Sequence, residues 1–256
     1  MADEQVVAAN VDVAVLVASM NADLNARRLE RYLATAWQSG ATPVVVLTKA
    51  DIAADPEADI AEAESVAFGA PVLAVSAVTG EGLDALASHL KAGETAVLVG
   101  SSGVGKSTLV NALAGEALMV TAAIREDDAH GRHTTTHREL IRLPSGALIL
   151  DTPGMRELGL IDADDGLSAT FEDIEALAAD CRFSDCGHGS EPGCAVRAAL
   201  RDGTLDEGRW RSFQKLQREL AFQERKEDRA ARAAHRRHWI SIHKAARERM
   251  KFSGKT

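Results

Sequence analysis

Continuous apolar, β-branched runs alternate with amphipathic stretches along roughly the first 150 positions, a pattern that predicts buried strands separated by helices. Val11–Val17 (VDVAVLV), Pro43–Leu47 (PVVVL), Pro71–Val75 (PVLAV) and Ala96–Val99 predict four strands buried on both faces. Between them, Leu24–Gln38 carries apolar residues at Leu29, Leu33 and Ala36 with Gly40 as a stop, Ile60–Ala67 reads as a helix, and GEGLDALASHL reads as another. Strand–helix alternation of this kind predicts a parallel sheet wrapped on both faces. From Arg138 the pattern changes: Glu139–Leu143 and Ala147–Leu150 are short strands joined by Pro144-Ser145-Gly146, a hairpin signal. After about Gly166 the strand signals stop, and a long charged helix is expected from about Leu205. Its Trp210, Phe213, Leu216 and Leu220 recur at spacings of three and four, which predicts a stripe packed into a core rather than a ligand site.

Length and composition change this picture little. The chain has 256 residues, 46% hydrophobic and 26% charged, the profile of a soluble globular protein holding one medium domain and a smaller appendage. Its longest apolar runs are too short to span a bilayer, so no membrane partner is expected. The N-terminus MADEQVV lacks an apolar core for a secretory signal, which makes the cytoplasm the expected compartment.

Charge changes it more. The net charge of −9 conceals an asymmetry: from Arg209 onward the chain has 15 Lys/Arg against 5 Asp/Glu, a surplus of ten positive charges. An acidic body with a basic tail points to a polyanionic partner for the tail. Within the tail, Arg232, Arg236, Arg237, Lys244 and Arg247 fall in one helix-like stretch beside His238 and Trp239.

Gly100-Ser101-Ser102-Gly103-Val104-Gly105-Lys106-Ser107, followed by Thr108, satisfies G-x-x-x-x-G-K-[ST] between a predicted strand and a predicted helix. Such a loop turns backbone N–H groups onto phosphate oxygens, with Lys106 reaching the β/γ-phosphates and the Ser107 hydroxyl suited to Mg²⁺. Thr48-Lys49-Ala50-Asp51 ends an earlier strand. The Asp51 carboxylate can accept from guanine N1–H and the 2-amino group, a donor pair that adenine lacks. The Lys49 stem can lie over the base, and Ser76-Ala77 ends the next strand in position to offer a backbone N–H to guanine O6. LDTPG supplies Asp151 for Mg²⁺ and the Gly154 N–H for the γ-phosphate, while Thr135 in HTTT can close on Mg²⁺ and γ-phosphate.

The base loops precede the phosphate loop, so these parts are those of a G domain in rotated order. Circular permutation leaves the loops at one sheet edge while moving the termini, and it places the C-terminal segment directly after the loop expected to respond to hydrolysis.

Cys181-x4-Cys186-x-His188-x5-Cys194 holds every cysteine of the chain within 14 residues. Three thiolates and one imidazole suit tetrahedral Zn²⁺, and four protein ligands make the site structural, one ion per chain.

NARRLERYL, TKAD, GSSGVGKST, GRHTTTHREL, DTPGMRELGL and this Cys/His cluster together resemble the ribosome small-subunit-dependent GTPase A (RsgA/YjeQ) family over nearly the whole chain. The resemblance implies a late assembly factor of the small ribosomal subunit that hydrolyses GTP to GDP, is stimulated by the subunit and contacts 16S rRNA. It implies a monomer with a circularly permuted P-loop G domain, a parallel-rich α/β sheet wrapped by helices, over residues 1–165. A small α-helical zinc-binding domain with a basic C-terminal helix would follow over 166–256. The family's proposed water-positioning histidine maps to His133, and Met155 stands where Ras-like enzymes place glutamine, so slow intrinsic hydrolysis is expected. Family members also carry an N-terminal OB-fold domain; here residues 1–10 alone precede the first predicted strand, so the chain reads as a short form or a truncation. The alternatives are a non-catalytic zinc-containing RNA-binding module with a vestigial nucleotide pocket, and a P-loop ATPase or kinase, which Asp51 disfavours.

Overall fold

The computed structural model describes residues 9–21, 23–119, 139–151, 164–222 and 225. Six strands form one sheet in the order β3-β2-β1-β4-β6-β5: β1 (Val13–Ser19), β2 (Thr42–Thr48), β3 (Val72–Val75), β4 (Thr95–Val99), β5 (Glu139–Arg142) and β6 (Leu148–Asp151). All neighbours are parallel except β5 and β6, the hairpin expected from Pro144-Ser145-Gly146. The fold class is therefore α/β with a parallel-rich sheet.

β1 lies near the middle of the sheet, between β2 and β4, and every one of its side chains is buried. Successive side chains point to opposite faces, so this strand feeds two cores. Val13, Val15 and Val17 join Leu86, Leu98, Leu109 and Ile149 on one side. Ala14, Leu16 and Ala18 join Leu29, Leu33 and Val97 on the other. That double burial is why β1, β2 and β4 read as unbroken apolar runs; β3 departs from the expectation, since at the edge of the sheet its Val72, Leu73 and Ala74 are only half-buried.

The second face is covered by α1 (Ala26–Gln38) and α2 (Pro56–Glu64). The Asn25 side chain caps α1, accepting from the Arg28 N–H at 3.0 Å, and Leu29, Leu33 and Ala36 form its buried stripe. α2 starts four residues before the expected Ile60. Asp55 caps it by accepting from Ala58 N–H at 3.1 Å, with Pro56 in the first turn, and the helix ends at Glu64 rather than Ala67. The other face carries α3 (Leu83–Ser88) and α4 (Lys106–Ala114).

A third core belongs mainly to the C-terminal half, formed by α5 (Asp164–Thr170), α6 (Glu172–Ala179), α7 (Ala195–Asp202) and a helix over residues 207–222. The stripe Trp210, Phe213, Leu216 and Leu220 is buried there, as its spacing predicts. Ala34 of α1 completes this core, so α1 buries one flank on the sheet and another on the C-terminal helices. Gly166 makes the close crossing possible: a Cβ there would run into the Ala34 carbonyl, and its own N–H donates to Gln38 Oε1 at 2.9 Å.

Charges reinforce that junction. Arg209, only 5% exposed, binds Asp173 through two nitrogens at 2.7 and 2.8 Å, Glu30 at 3.1 Å and the Thr170 carbonyl at 2.9 Å. Its guanidinium also lies over the Phe68 and Phe171 rings, 4.8 and 4.7 Å from their centroids. Burial raises the Glu30 pKa above the ordinary carboxylate value despite hydrogen bonding by Ser212 and the charges of Arg27 and Arg209. Arg31 grips Glu219 with both terminal nitrogens at 2.6 and 2.8 Å, which holds the Glu219 carboxyl below its ordinary value. Among the described residues no helix is long and apolar enough to cross a membrane.

Candidate functional site

The loops after β2, β3 and β4 leave the carboxyl ends of parallel strands, the edge where open α/β sheets bind ligands. β4 runs into Gly100, and two glycines shape the loop that joins it to α4. A Cβ on Gly100 would collide with the Val17 carbonyl of the neighbouring strand. Gly105, at φ 97°, caps α4 in a backbone conformation that a side chain would strain. The turn thus delivers the first N–H groups of α4, with the positive end of its dipole, to the loop mouth.

Lys106 is buried and turns back over this loop, donating to the Gly100 and Ser101 carbonyls at 2.7 Å each. Its ammonium is therefore held inside the arch of the loop. Ser107 and Thr108 come next on the first turn of α4, Ser107 half-buried and Thr108 exposed.

The TKAD segment is tied to the phosphate loop by its first residue. Thr48 is buried, and its Oγ1 lies 2.5 Å from the Val104 carbonyl and 3.1 Å from the Ala18 carbonyl. One hydroxyl proton serves both acceptors, the shorter contact being to the phosphate loop. Lys49 adopts a left-handed conformation, φ 62°, turning the chain into the short 3₁₀ turn Ala50–Ile52. Asp51 then meets the end of β3: Ser76 Oγ donates to Asp51 Oδ1 at 2.7 Å. Ser76 is fully buried and also accepts from the Val78 and Thr79 N–H groups at 3.3 and 3.1 Å, while Ala77 is half-buried beside it. The two base-reading segments expected from the sequence are thus joined to each other, and the first of them to the phosphate loop.

One neighbour has no counterpart among the residues expected from sequence. Asn21, just past β1, accepts from Ser19 Oγ at 2.9 Å and from Lys49 Nζ at 3.5 Å. The polar Ser19 and Asn21 flanking Met20 at the end of a buried strand are its signal. His133, Thr135, Gly154 and Met155 lie outside the described residues, and of Asp151 the backbone alone is described, ending β6 beside β4. The basic tail beyond residue 225 also lies outside them.

The second site is the cysteine cluster. The donor atoms of Cys181, Cys186, His188 and Cys194 all lie within 4.8 Å of one another. Cys181 and Cys194 sulfurs are 3.8 Å apart, and His188 Nδ1 stands 3.6 and 3.5 Å from them. Zinc bonds of about 2.3 Å to sulfur and about 2.0–2.1 Å to nitrogen give tetrahedral edges of about 3.8 and 3.5 Å, so the donor set fits the ion. The His188 ring meets Trp210 edge-on at 5.6 Å, which orients it from the third core. Cys194 caps α7, accepting from the Arg197 N–H at 3.4 Å. The Cys186 thiol is pushed up to about 11: the His188 backbone N–H lowers it, but partial burial and the Cys194 and Cys181 sulfurs outweigh that. A divalent cation among these sulfurs would displace such protons.

A model of the RsgA GTPase family matches residues 1–161. The small ribosomal subunit biogenesis GTPase RsgA 1 of Listeria innocua is 51% identical over 249 residues, 97% of this chain and 72% of that protein. Among solved structures, YjeQ from Thermotoga maritima superposes with a TM-score of 0.61 at 29% identity, over 83% of this chain and 72% of the other. YloQ, described as a circularly permuted GTPase, superposes with a TM-score of 0.55 at 29% identity, over 86% and 69%.

Proposed function

Because the chain belongs to the RsgA GTPase family, we propose that it hydrolyses GTP as a late assembly factor of the small ribosomal subunit, binding 16S rRNA and stimulated by the subunit. The observation that carries the reading is the Ser76–Asp51 hydrogen bond of 2.7 Å. It fixes the Asp51 carboxylate beside a complete phosphate loop, where it selects guanine by accepting two N–H bonds.

In this reading Thr48, Lys49, Ala50, Asp51, Ser76 and Ala77 form the base side, and Gly100 through Thr108 the phosphate side. Lys106 gives its ammonium to the β/γ-phosphates, exchanging the loop carbonyls for phosphate oxygens of greater charge. Ser107, Asp151 and Thr135 hold Mg²⁺, Gly154 senses the γ-phosphate and His133 positions water. Magnesium, when bound, supplies neutralisation of charge on the phosphate oxygens. Cys181, Cys186, His188 and Cys194 hold a structural zinc whose four protein ligands leave no position for chemistry.

The protein acts as a monomer in the cytoplasm, where the subunit matures, and its basic C-terminal segment meets rRNA phosphates. The test is GTP turnover by the full chain with and without purified small subunits. Turnover that rises on adding subunits supports the reading, and turnover absent under both conditions refutes it.

A further inference from the structure

β1 and β2 run in parallel register, with Ser19 opposite Thr48, and both strands end at that pair. The Met20 N–H then donates to the Thr48 carbonyl at 3.0 Å, so the turn that leaves β1 is stitched to the segment proposed to read the base. Asn21 and Lys49 are the next residues on the two stretches.

Lys49 stands out by its backbone. Among the described residues three that are not glycine have positive φ: Asn10, Lys49 and His188. Asparagine and histidine enter that region more readily than most residue types; lysine has no such preference. Backbone strain of this kind collects where a side chain has to be aimed. The aim is visible at the other end of the side chain, where the Lys49 ammonium stands 3.5 Å from Asn21 Oδ1.

An ammonium offers donors only, so the atom that meets it has to be the amide oxygen, which settles the orientation of the Asn21 side chain. The same oxygen accepts from the buried Ser19 hydroxyl at 2.9 Å, so Asn21 is itself anchored to the end of β1. Among the described residues the tether on Lys49 is thus a neutral amide and not a carboxylate. A carboxylate would neutralise the ammonium and compete with a nucleotide for it. An amide orients the charge and leaves it in place.

We propose that Asn21 is a positioning residue for the nucleotide: it holds the Lys49 ammonium so that the lysine stem is laid out as a shelf for the base before the nucleotide arrives. The inference rests on the functional reading above, which it deepens by naming the residue that sets this shelf. An untethered lysine samples many rotamers, and ordering it on binding subtracts from affinity. Asn21 removes part of that loss in advance, and it does so through Lys49 alone. The shelf touches neither the γ-phosphate nor the 2-amino group, so its loss should weaken GTP, GDP and inosine diphosphate by one common factor.

The test measures binding of these three nucleotides to the full chain, by competition with a fluorescent guanine nucleotide, in a double-mutant cycle of Asn21→Ala with Lys49→Met. Asn21→Ala is expected to weaken all three by roughly 2- to 10-fold, the worth of one hydrogen bond. Added to Lys49→Met, which keeps the stem and removes the ammonium, it should cause no further loss. In turnover assays its effect should fall on KM and not on kcat. Wild-type affinity in Asn21→Ala would overturn the proposal. So would the same loss repeated in the Lys49→Met background, which would assign Asn21 a structural role through the buried Ser19 hydroxyl. A loss confined to GTP would also overturn it, by tying Asn21 to the γ-phosphate. Nucleotide binding that depends on Asn21 through Lys49, in a chain that never hydrolyses GTP, would uphold the tether and sink the functional reading instead.

Discussion

The Thr48 hydroxyl lies 2.5 Å from the Val104 carbonyl, so the segment proposed to read the base is fastened to the middle of the phosphate loop. The contact is buried, and removing the donor leaves a carbonyl without its partner, a loss of about 1–3 kcal/mol. Thr48→Val keeps the shape and removes the hydroxyl. It is expected to lower the melting temperature and to weaken GTP binding, whereas Thr48→Ser should keep both near wild type. Calorimetric titration with GTP checks this.

Guanine selection is expected to fail at Asp51 and to loosen at Ser76. Asp51→Asn should weaken GTP binding and shift preference toward xanthosine nucleotides, because an amide can donate where xanthine accepts. Ser76→Ala removes the hydrogen bond that holds Asp51 and should weaken GTP binding by roughly 3- to 10-fold, the worth of one such bond. Competition between GTP and XTP for a fluorescent guanine nucleotide reads both changes.

Much of this fold is legible in the sequence because the signals are local. β1, β2 and β4 are buried on both faces, so they announce themselves as unbroken apolar runs, and the phosphate loop is a contiguous motif. α2 departs from its expected bounds because only Ala63 of the helix is buried, leaving almost no periodicity, while its true start is written in Asp55-Pro56. The Thr48–Val104 contact is hidden for another reason: its acceptor is a backbone carbonyl, which no side-chain pattern marks. Glu30 and Arg209 are 179 residues apart, and in NARRLERYL the glutamate reads as one more charge on a solvated helix.

That pair should dominate the stability of the junction between α1 and the C-terminal helices. Arg209→Ala leaves Asp173 without its arginine and Glu30 with Arg27 as its one remaining arginine among the described residues, and is expected to cost about 3–5 kcal/mol. Glu30→Gln should cost less, because the amide escapes the desolvation that raises the Glu30 pKa. The sign of the pH effect comes from that raised value. Glu30 favours the folded state most below its unfolded pKa, and the contribution is lost as pH rises through the folded one. Denaturant titrations from acid to neutral pH should therefore show a smaller fall for Glu30→Gln.

Zinc should bind at one ion per chain and leave as pH falls, since protons compete for the three sulfurs and His188. The thiol at Cys186, up to about 11, means that loading near neutral pH releases protons. Elemental analysis across a pH series, with proton release followed in weak buffer, checks both. Cys194→Ser should lose the ion and loosen α7, whose N-cap is the same sulfur, while nucleotide binding survives.

The central claim is GTP hydrolysis answering to the small subunit, and phosphate release with and without purified subunits measures it most directly. Expected is slow turnover alone, marked stimulation by subunits, and no turnover in either condition for Lys106→Ala, whose ammonium is the cation held within the loop. GTP bound tightly by the wild-type chain but never hydrolysed, with or without subunits, would contradict the claim and make the protein a nucleotide-holding RNA-binding module.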